Sequence, residues 1–256
     1  MSGMETKIQA HRGASAYRPE NTLEAFTLAI EQKSDGIELD VHLTKDGEIV
    51  VAHDERLERV SNGEGLINNY TLEELRLLDF SKLFPDQGPC RIPTLADVYT
   101  FLKPTSLTVN IELKTPHLLY PALPEKLIAL THECAMEDRV LYSSFNHYSL
   151  MEIKKLKPSA KIGLLYQMNM VDPWIYADYV GANAIHPHYN VITALPETVV
   201  KCHEKGVMVN IWTVDDPQTI QKMIHYGVDA IITNKPDIAV AVRQEILSTI
   251  CPQGKK

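Results

Sequence analysis

Several kinds of segment are missing from this 256-residue chain, and each absence removes a class of function. Basic residues are outnumbered, 25 Lys and Arg against 33 Asp and Glu, for a formal net charge of -8. A nucleic-acid binder gains affinity by releasing counterions onto a basic face, and here the cations are scattered among more numerous acids. No apolar run is long enough to cross a bilayer, and the opening MSGMETKIQA lacks the apolar stretch of a signal peptide, so a cytoplasmic protein without stable membrane insertion is expected. The cysteines number four, Cys90, Cys134, Cys202 and Cys251, with no C-x-x-C spacing, which fits ordinary thiols in a reducing compartment. Gly/Ser-rich and Pro-rich tracts are also missing. With 45% hydrophobic residues, the whole chain, 1–256, is expected to fold as a single domain.

What is present alternates between two periods. Ile8 to Ala10 reads as a short strand, followed by a helix from about Thr22 with Asn21 as N-cap and Glu24 as its capping-box partner. In GIELDVHLT the apolar Ile37, Leu39, Val41 and Leu43 alternate with Glu38, Asp40 and His42, the period of a strand. IVVAHD predicts another strand ending at His53. A loop-rich insertion at about 54–93 follows, with a helix over Thr71 to Asp79 capped by Thr71 and Glu74, and then a helix over Thr94 to Leu102. From LTVNIELKT onward, strands and helices take turns. About eight strands lead into helices, which predicts a (β/α)8 TIM barrel of the α/β class, with a doubly wound open sheet as the alternative.

In such a barrel, catalytic side chains come from the C-terminal ends of the strands and the loops beyond them. That rule gathers the polar residues that interrupt the strands. Glu38 and Asp40, two apart, point to one side, and Glu112 can join them; three clustered carboxylates repel unless an oxygen-seeking cation sits among them. A solvated strand face with ordinary ion pairs is the other reading. His11 and His53 could act as base and acid on either side of a phosphoryl group. Arg12 and Lys114 could hold its oxygens, or pair with the neighbouring acids. Trp212 could floor a pocket for an alcohol, Gly13 lets the chain turn after Arg12, and His42, His186 and His188 receive no role.

The segments HRGASAYRPENTLEAF, GIELDVHLTKDGEIVVAHD, IPTLADV, NIELK, VNIWTVDD and GVDAIITNKPD, in this order, resemble the glycerophosphodiester phosphodiesterases from Ile8 to about Val240. The resemblance implies a (β/α)8 barrel that hydrolyses glycerophosphodiesters to sn-glycerol 3-phosphate and an alcohol with a divalent cation, Mg2+ or Ca2+. By matching motif it implies His11 and His53 as the acid/base pair, Glu38, Asp40 and Glu112 as metal ligands, Arg12 and Lys114 as phosphate contacts, and Trp212 on the glycerol side. It further suggests that the substrate's own 2-hydroxyl attacks phosphorus, through a cyclic phosphate. Larger members carry a subdomain over the site where this chain has its short insertion, so an open mouth is expected. The expected partner is a small glycerophosphodiester. Enzymes acting on acylated substrates, a lysophospholipase D or a phospholipase C-like phosphodiesterase, are the rival, for which the sequence shows no apolar rim; a silent phosphate-binding barrel is a third reading.

Overall fold

The computed structural model describes residues 5–115 and 120–250, so Cys251 lies outside the described residues. Its first strand, β1 (Lys7–His11), leads through a tight turn to α1 (Leu23–Glu31) and then to β2 (Gly36–Leu43). β3 (Ile49–Val51) folds back antiparallel on β2, and the insertion holds one short α-helix, α2 (Leu72–Leu75), and two 3-10 turns, Ile67–Asn69 and Pro85–Gln87. After α3 (Leu95–Leu102) the chain alternates: β4 (Thr108–Leu113), α4 (Leu123–Glu133), β5 (Val140–Ser144), α5 (His147–Leu156), β6 (Ile162–Tyr166), α6 (Pro173–Val180) and β7 (Ala184–Pro187). It ends with α7 (Tyr189–Ala194), α8 (Glu197–Glu204), β8 (Met208–Ile211), α9 (Pro217–Tyr226), β9 (Ala230–Thr233) and α10 (Pro236–Ile250).

β1 pairs in parallel with both β2 and β9, so the sheet closes on itself. The eight parallel strands make a (β/α)8 barrel, with β3 as an antiparallel ninth strand outside the closed ring. Closure excludes the open-sheet alternative. The period-2 pattern on β2 is what builds the wall: Ile37, Leu39 and Val41 join the main core beneath the helices, which leaves Glu38, Asp40 and His42 on the opposite face, inside the barrel. Phe26 of α1, fully buried, plugs the helix onto that core, and its loss to Ala would cost about 3–5 kcal/mol. Gly163 on β6 admits the barrel's interior imidazole, since a Cβ there would stand 2.4 Å from His186 Nε2.

Three local expectations are corrected. Thr22, not Asn21, caps α1: its hydroxyl accepts from the Ala25 amide, and Glu24 forms no capping box. Asn21 has φ +59, outside the extended region a cap uses, and its side chain is pulled into the barrel instead. The helix begun by the Thr71–Glu74 capping box stops at Leu75, well before Asp79. The strand expected to end at His53 stops at Val51, and His53 lies in the loop beyond it.

The insertion is richer than a loop. Leu57, Val60, Ile67, Leu75, Phe80 and Ile92 form a second small core with Val50 and Ala52, separate from the main one. Among the described residues, no helix is long and apolar enough to cross a membrane.

Candidate active site

Strand register assembles the site. His11 lies beside Glu38, Glu38 beside Asn110, Asp40 beside Glu112, and Glu112 beside Ser143, so inward-facing polar groups from four neighbouring strands come level near the C-terminal end of the barrel. Arg12, Lys114 and Trp212 each follow the last residue of a strand. A cavity of about 90 Å3 opens there, lined by His11, Arg12, Glu38, His53, Glu112, Lys114 and Trp212 among others. No residue of the insertion 54–93 lines it, in keeping with the expected open mouth. Larger surface grooves of about 280 Å3 between α9 and α10 and about 270 Å3 beside α4 gather no comparable set of converging charged groups.

Glu38, Asp40 and Glu112 each offer an oxygen, and these lie within 4.8 Å of one another. All three side chains are buried. Burial, then the neighbouring carboxylates Asp40 and Glu112, push Glu38 well above the usual carboxylate range. Burial also raises Glu112, partly opposed by Lys114. Burial acts on Asp40 in the same sense, yet Lys114 and Arg12 outweigh it and hold that carboxyl well below its ordinary value. Asp40 Oδ1 is buried and accepts no hydrogen bond, its nearest cation being Lys114 Nζ at 3.5 Å. An all-oxygen donor set with one unpartnered buried oxygen fits a hard divalent cation, and it is the one such group among the described residues.

Around this cluster the cations are fixed. Lys114 Nζ stands 2.7 Å from Glu112 Oε1, while Arg12 Nη1 reaches Glu20 at 3.0 Å and Arg12 Nε lies 3.3 Å from Asp40. Arg12 adopts φ +56, a left-handed conformation uncommon outside Gly; its amide donates to both the backbone carbonyl and the carboxylate of Glu38, at 2.9 and 3.0 Å, which holds it there. Gly13 follows with φ +81 and completes the turn; a Cβ on it would meet Ala25 at 2.6 Å. The expected ion pairs between Arg12, Lys114 and the acids therefore coexist with their place at the cavity wall.

The two histidines differ in their partners. His11 Nδ1 is 2.7 Å from Asn234 Oδ1, and Asn234 is itself oriented by Asp215, to which its amide donates at 2.6 Å. Since Asn234 gives its N–H to Asp215, its oxygen must accept, so His11 carries its proton on Nδ1 and leaves Nε2 bare toward Glu38. Burial, reinforced by Arg12, lowers His11 to about 4, which keeps it neutral at pH 7. His53 Nδ1 is 2.5 Å from Asp54, a carboxylate that also takes Arg59. Asp54 can only accept, so His53 directs a proton on Nδ1 at that carboxylate, which orients the ring.

Sequence reasoning gave no role to His42, His186 and His188. Fully buried His42, lowered by burial to about 4, holds the His53 carbonyl through Nε2 at 3.1 Å. His186 packs inside the barrel against Asn210 at 3.0 Å, and its carbonyl accepts from Trp212 Nε1 at 2.8 Å. His188 caps α7 and meets the Trp212 ring edge-on. Three residues of this supporting layer went unread, Asp54, Asn234 and Asp215, and a fourth, Asn21, was read only as a cap; its amide donates to Asp40 Oδ2 at 2.8 Å. Asn21 did carry a signal, a polar residue one place ahead of the Thr that makes the better cap.

On the other flank the expectation of no apolar rim is overturned. Phe145 stands in the cavity wall, edge-on to Trp212 at 5.4 Å between centroids, and Tyr148 on α5, Met168 and Val171 after β6, and Ile175 and Tyr179 on α6 are exposed. The sequence hid this rim because its members come from separate loops and helices.

The glycerophosphoryl diester phosphodiesterase family model matches residues 11–238. The chain is 47% identical over 238 residues to a glycerophosphodiester phosphodiesterase of Caldanaerobacter subterraneus subsp. tengcongensis, covering 93% of this chain and 97% of that one. It is 40% identical over 243 residues to another from Bacillus altitudinis, covering 94% and 99%. Among solved structures, an Oleispira antarctica phosphodiesterase in complex with the product sn-glycerol-3-phosphate superposes with a TM-score of 0.83 at 28% identity, covering 93% of this chain and 96% of that one.

Proposed function

The chain belongs to the glycerophosphoryl diester phosphodiesterase family, and from that premise we propose that it hydrolyses glycerophosphodiesters to sn-glycerol 3-phosphate and a free alcohol with one divalent cation, Mg2+ or Ca2+, held by Glu38, Asp40 and Glu112. The observation that carries this reading is the buried carboxylate trio within 4.8 Å, flanked by two histidines that are each oriented through Nδ1 by an oxygen acceptor. When bound, the cation neutralises the carboxylates and draws charge from the phosphoryl oxygens.

Each protein group then has a task set by its surroundings. Arg12 and Lys114 hold non-bridging phosphoryl oxygens, the guanidinium through its fork and the ammonium as a point charge. His11 Nε2, bare and kept so by Asn234, takes the proton of the attacking hydroxyl. His53, oriented by Asp54 through Nδ1, gives a proton to the departing alcohol oxygen. The attacking group is the substrate's 2-hydroxyl: among the described residues no protein hydroxyl or thiol is hydrogen-bonded to a ring nitrogen of either histidine, the Ser15 hydroxyl being spent on the His11 carbonyl and Asn234 Oδ1, and an intramolecular attack gains effective molarities of about 10⁵ M or more. The two histidines then exchange roles as water opens the cyclic phosphate.

The test is release of glycerol 3-phosphate from glycerophosphocholine, measured with and without chelator and repeated with the 2-deoxy analogue. The reading expects turnover that chelation abolishes, and a deoxy analogue that binds but hydrolyses far more slowly. Turnover undiminished in excess EDTA sinks the metal assignment, and equal turnover of the deoxy analogue replaces the cyclic route with direct attack by water.

A further inference from the structure

No residue of the insertion lines the cavity, yet Arg59 is tied from behind to two groups that do. It commits all three nitrogens of its guanidinium to two carboxylates: Nε and Nη2 donate to Asp54 at 2.5 and 3.2 Å, Nη1 and Nη2 to Glu20 at 2.8 and 2.7 Å. Those carboxylates serve the site. Asp54 Oδ1, which takes Arg59 Nη2, also takes His53 Nδ1 at 2.5 Å, and Glu20 Oε1, which takes the same Nη2, also takes Arg12 Nη1 at 3.0 Å. A single nitrogen therefore touches both of the oxygens through which His53 and Arg12 are held.

The insertion is folded so as to present this side chain. Leu57 and Val60, on either side of Arg59, are buried in the second core, and the Ser61 amide and hydroxyl both donate to the Leu57 carbonyl, at 3.0 and 2.8 Å, closing a turn that contains Arg59. Arg56, three residues earlier, makes the ordinary alternative: it is exposed and pairs with Glu58 at the surface, the kind of ion pair that contributes little. A carboxylate on a loop can rotate about its own bonds, and a two-point fork removes that freedom. Fixing Asp54 fixes the direction of the His53 ring, because Nδ1 is committed to Asp54 and Nε2 is the nitrogen left for a substrate.

We propose that Arg59 is a positioning residue that aims His53 at the departing alcohol through Asp54, with Glu20 as its anchor and the second core holding it in place. The proposal rests on the acid role given to His53 above. In that step the 2-hydroxyl oxygen bonds to phosphorus and its proton passes to His11, the phosphorus–oxygen bond to the alcohol breaks, and the alcohol oxygen takes the His53 proton. The oxygen of choline leaves poorly without that proton, whereas a p-nitrophenolate needs none. Loss of aim at His53 therefore slows the first kind of substrate and spares the second, while loss of folding or of grip on the phosphate slows both alike.

The experiment measures kcat/KM at saturating divalent cation for glycerophosphocholine and for the p-nitrophenyl diester of glycerol 3-phosphate, by release of choline and of nitrophenol. This constant ends at alcohol release and is blind to the later opening of the cyclic phosphate. Wild type, Arg59→Gln, Arg59→Lys and His53→Ala are compared, with circular dichroism as the folding control. Arg59→Gln should lower the ratio of the two constants, glycerophosphocholine over nitrophenyl diester, about tenfold to a hundredfold, the scale of effect of a small misplacement, and His53→Ala should lower it further. Arg59→Lys, whose single ammonium cannot span two carboxylates, should fall between wild type and Arg59→Gln, and it carries the comparison alone if Arg59→Gln does not fold. An unchanged ratio in the Arg59 variants, whether both constants fall together or neither does, overturns this proposal alone when His53→Ala is selective. An unchanged ratio in His53→Ala overturns the acid role of His53 and this proposal with it. Turnover of neither diester by the wild type overturns the phosphodiesterase reading itself.

Discussion

Two flanks of the same barrel mouth are built on opposite physical terms. On the side of β1, β2 and β4, nearly every side chain at the cavity is charged, and each charge is held by another: Arg12 by Glu20 and Asp40, Arg59 by Glu20 and Asp54, His53 by Asp54, Lys114 by Glu112. On the side of β5 and β6, Phe145, Tyr148, Met168, Val171, Ile175 and Tyr179 stand exposed among the described residues. The insertion with its own small core stands on the charged flank, where Gln87 donates to the Tyr17 carbonyl at 2.8 Å and Arg59 bonds Glu20 at 2.7 and 2.8 Å. Charges crowded in low dielectric need fixed geometry, since a displaced partner leaves an uncompensated buried ion. An apolar rim needs only area. The charged flank should therefore be intolerant of substitution and the apolar flank tolerant of it.

The largest expected effect breaks the charged flank outright: chelation should bring activity to background, and Glu38→Ala or Asp40→Ala should raise the metal concentration needed for half-maximal rate. Atomic absorption on the purified variants checks it. Next, His11→Ala and His53→Ala should each lower kcat by roughly a hundredfold to ten-thousandfold with little change in KM. Steady-state kinetics with circular dichroism as a folding control measures this, and near-normal turnover of either variant would make that histidine structural.

Asn21→Ala should cost less, about 10–100-fold in metal affinity or rate, the usual effect of removing a group that orients a metal ligand. Asn21→Asp should cost at least as much as Ala, because it replaces the amide that donates to Asp40 Oδ2 with a carboxylate that can only accept and that repels Asp40, and metal affinity together with kcat at saturating metal is the readout.

A smaller effect concerns stability in acid. Burial tends to raise Glu20, but Arg59 and Arg12 outweigh it and depress the carboxyl. A group depressed in the folded state stabilises the fold fully above its ordinary pKa, and that contribution is lost as pH falls through the depressed value. Thermal unfolding of the wild type and Glu20→Gln should therefore differ near neutrality and converge as pH is lowered, with the apolar flank playing no part. The smallest effect sharpens the contrast from the other side: Tyr148→Ser should change stability by no more than about 0.5 kcal/mol, as exposed substitutions usually do. Denaturant titration would detect a larger change, which would mean that the rim is packed rather than free.

Much of this was legible before any coordinates. The alternation on β2 and the helix over Thr94 to Leu102 follow from local patterns, as does the capping box at Thr71 and Glu74, because strand period and caps depend on a few neighbouring residues. The motif order also marked His11, Arg12, Glu38, Asp40, His53, Glu112, Lys114 and Trp212, and the fold brings them to one cavity and its wall. Asn21 was misread because the same Asn-Thr pair offers two caps, and choosing between them depends on Asp40, 19 residues away.

The sequence by itself determined the barrel and its set of charged residues, because side-chain period, turn chemistry and residue type are local properties. Only the tertiary structure decided which charges meet, which oxygen orients each histidine, and where the apolar residues gather. Asn234 reaches His11 across 223 positions of sequence, and the rim joins α5, α6 and the loop between β6 and α6. Such contacts are set by closure of the sheet, which brings β9 beside β1 and turns separate loop residues into one surface.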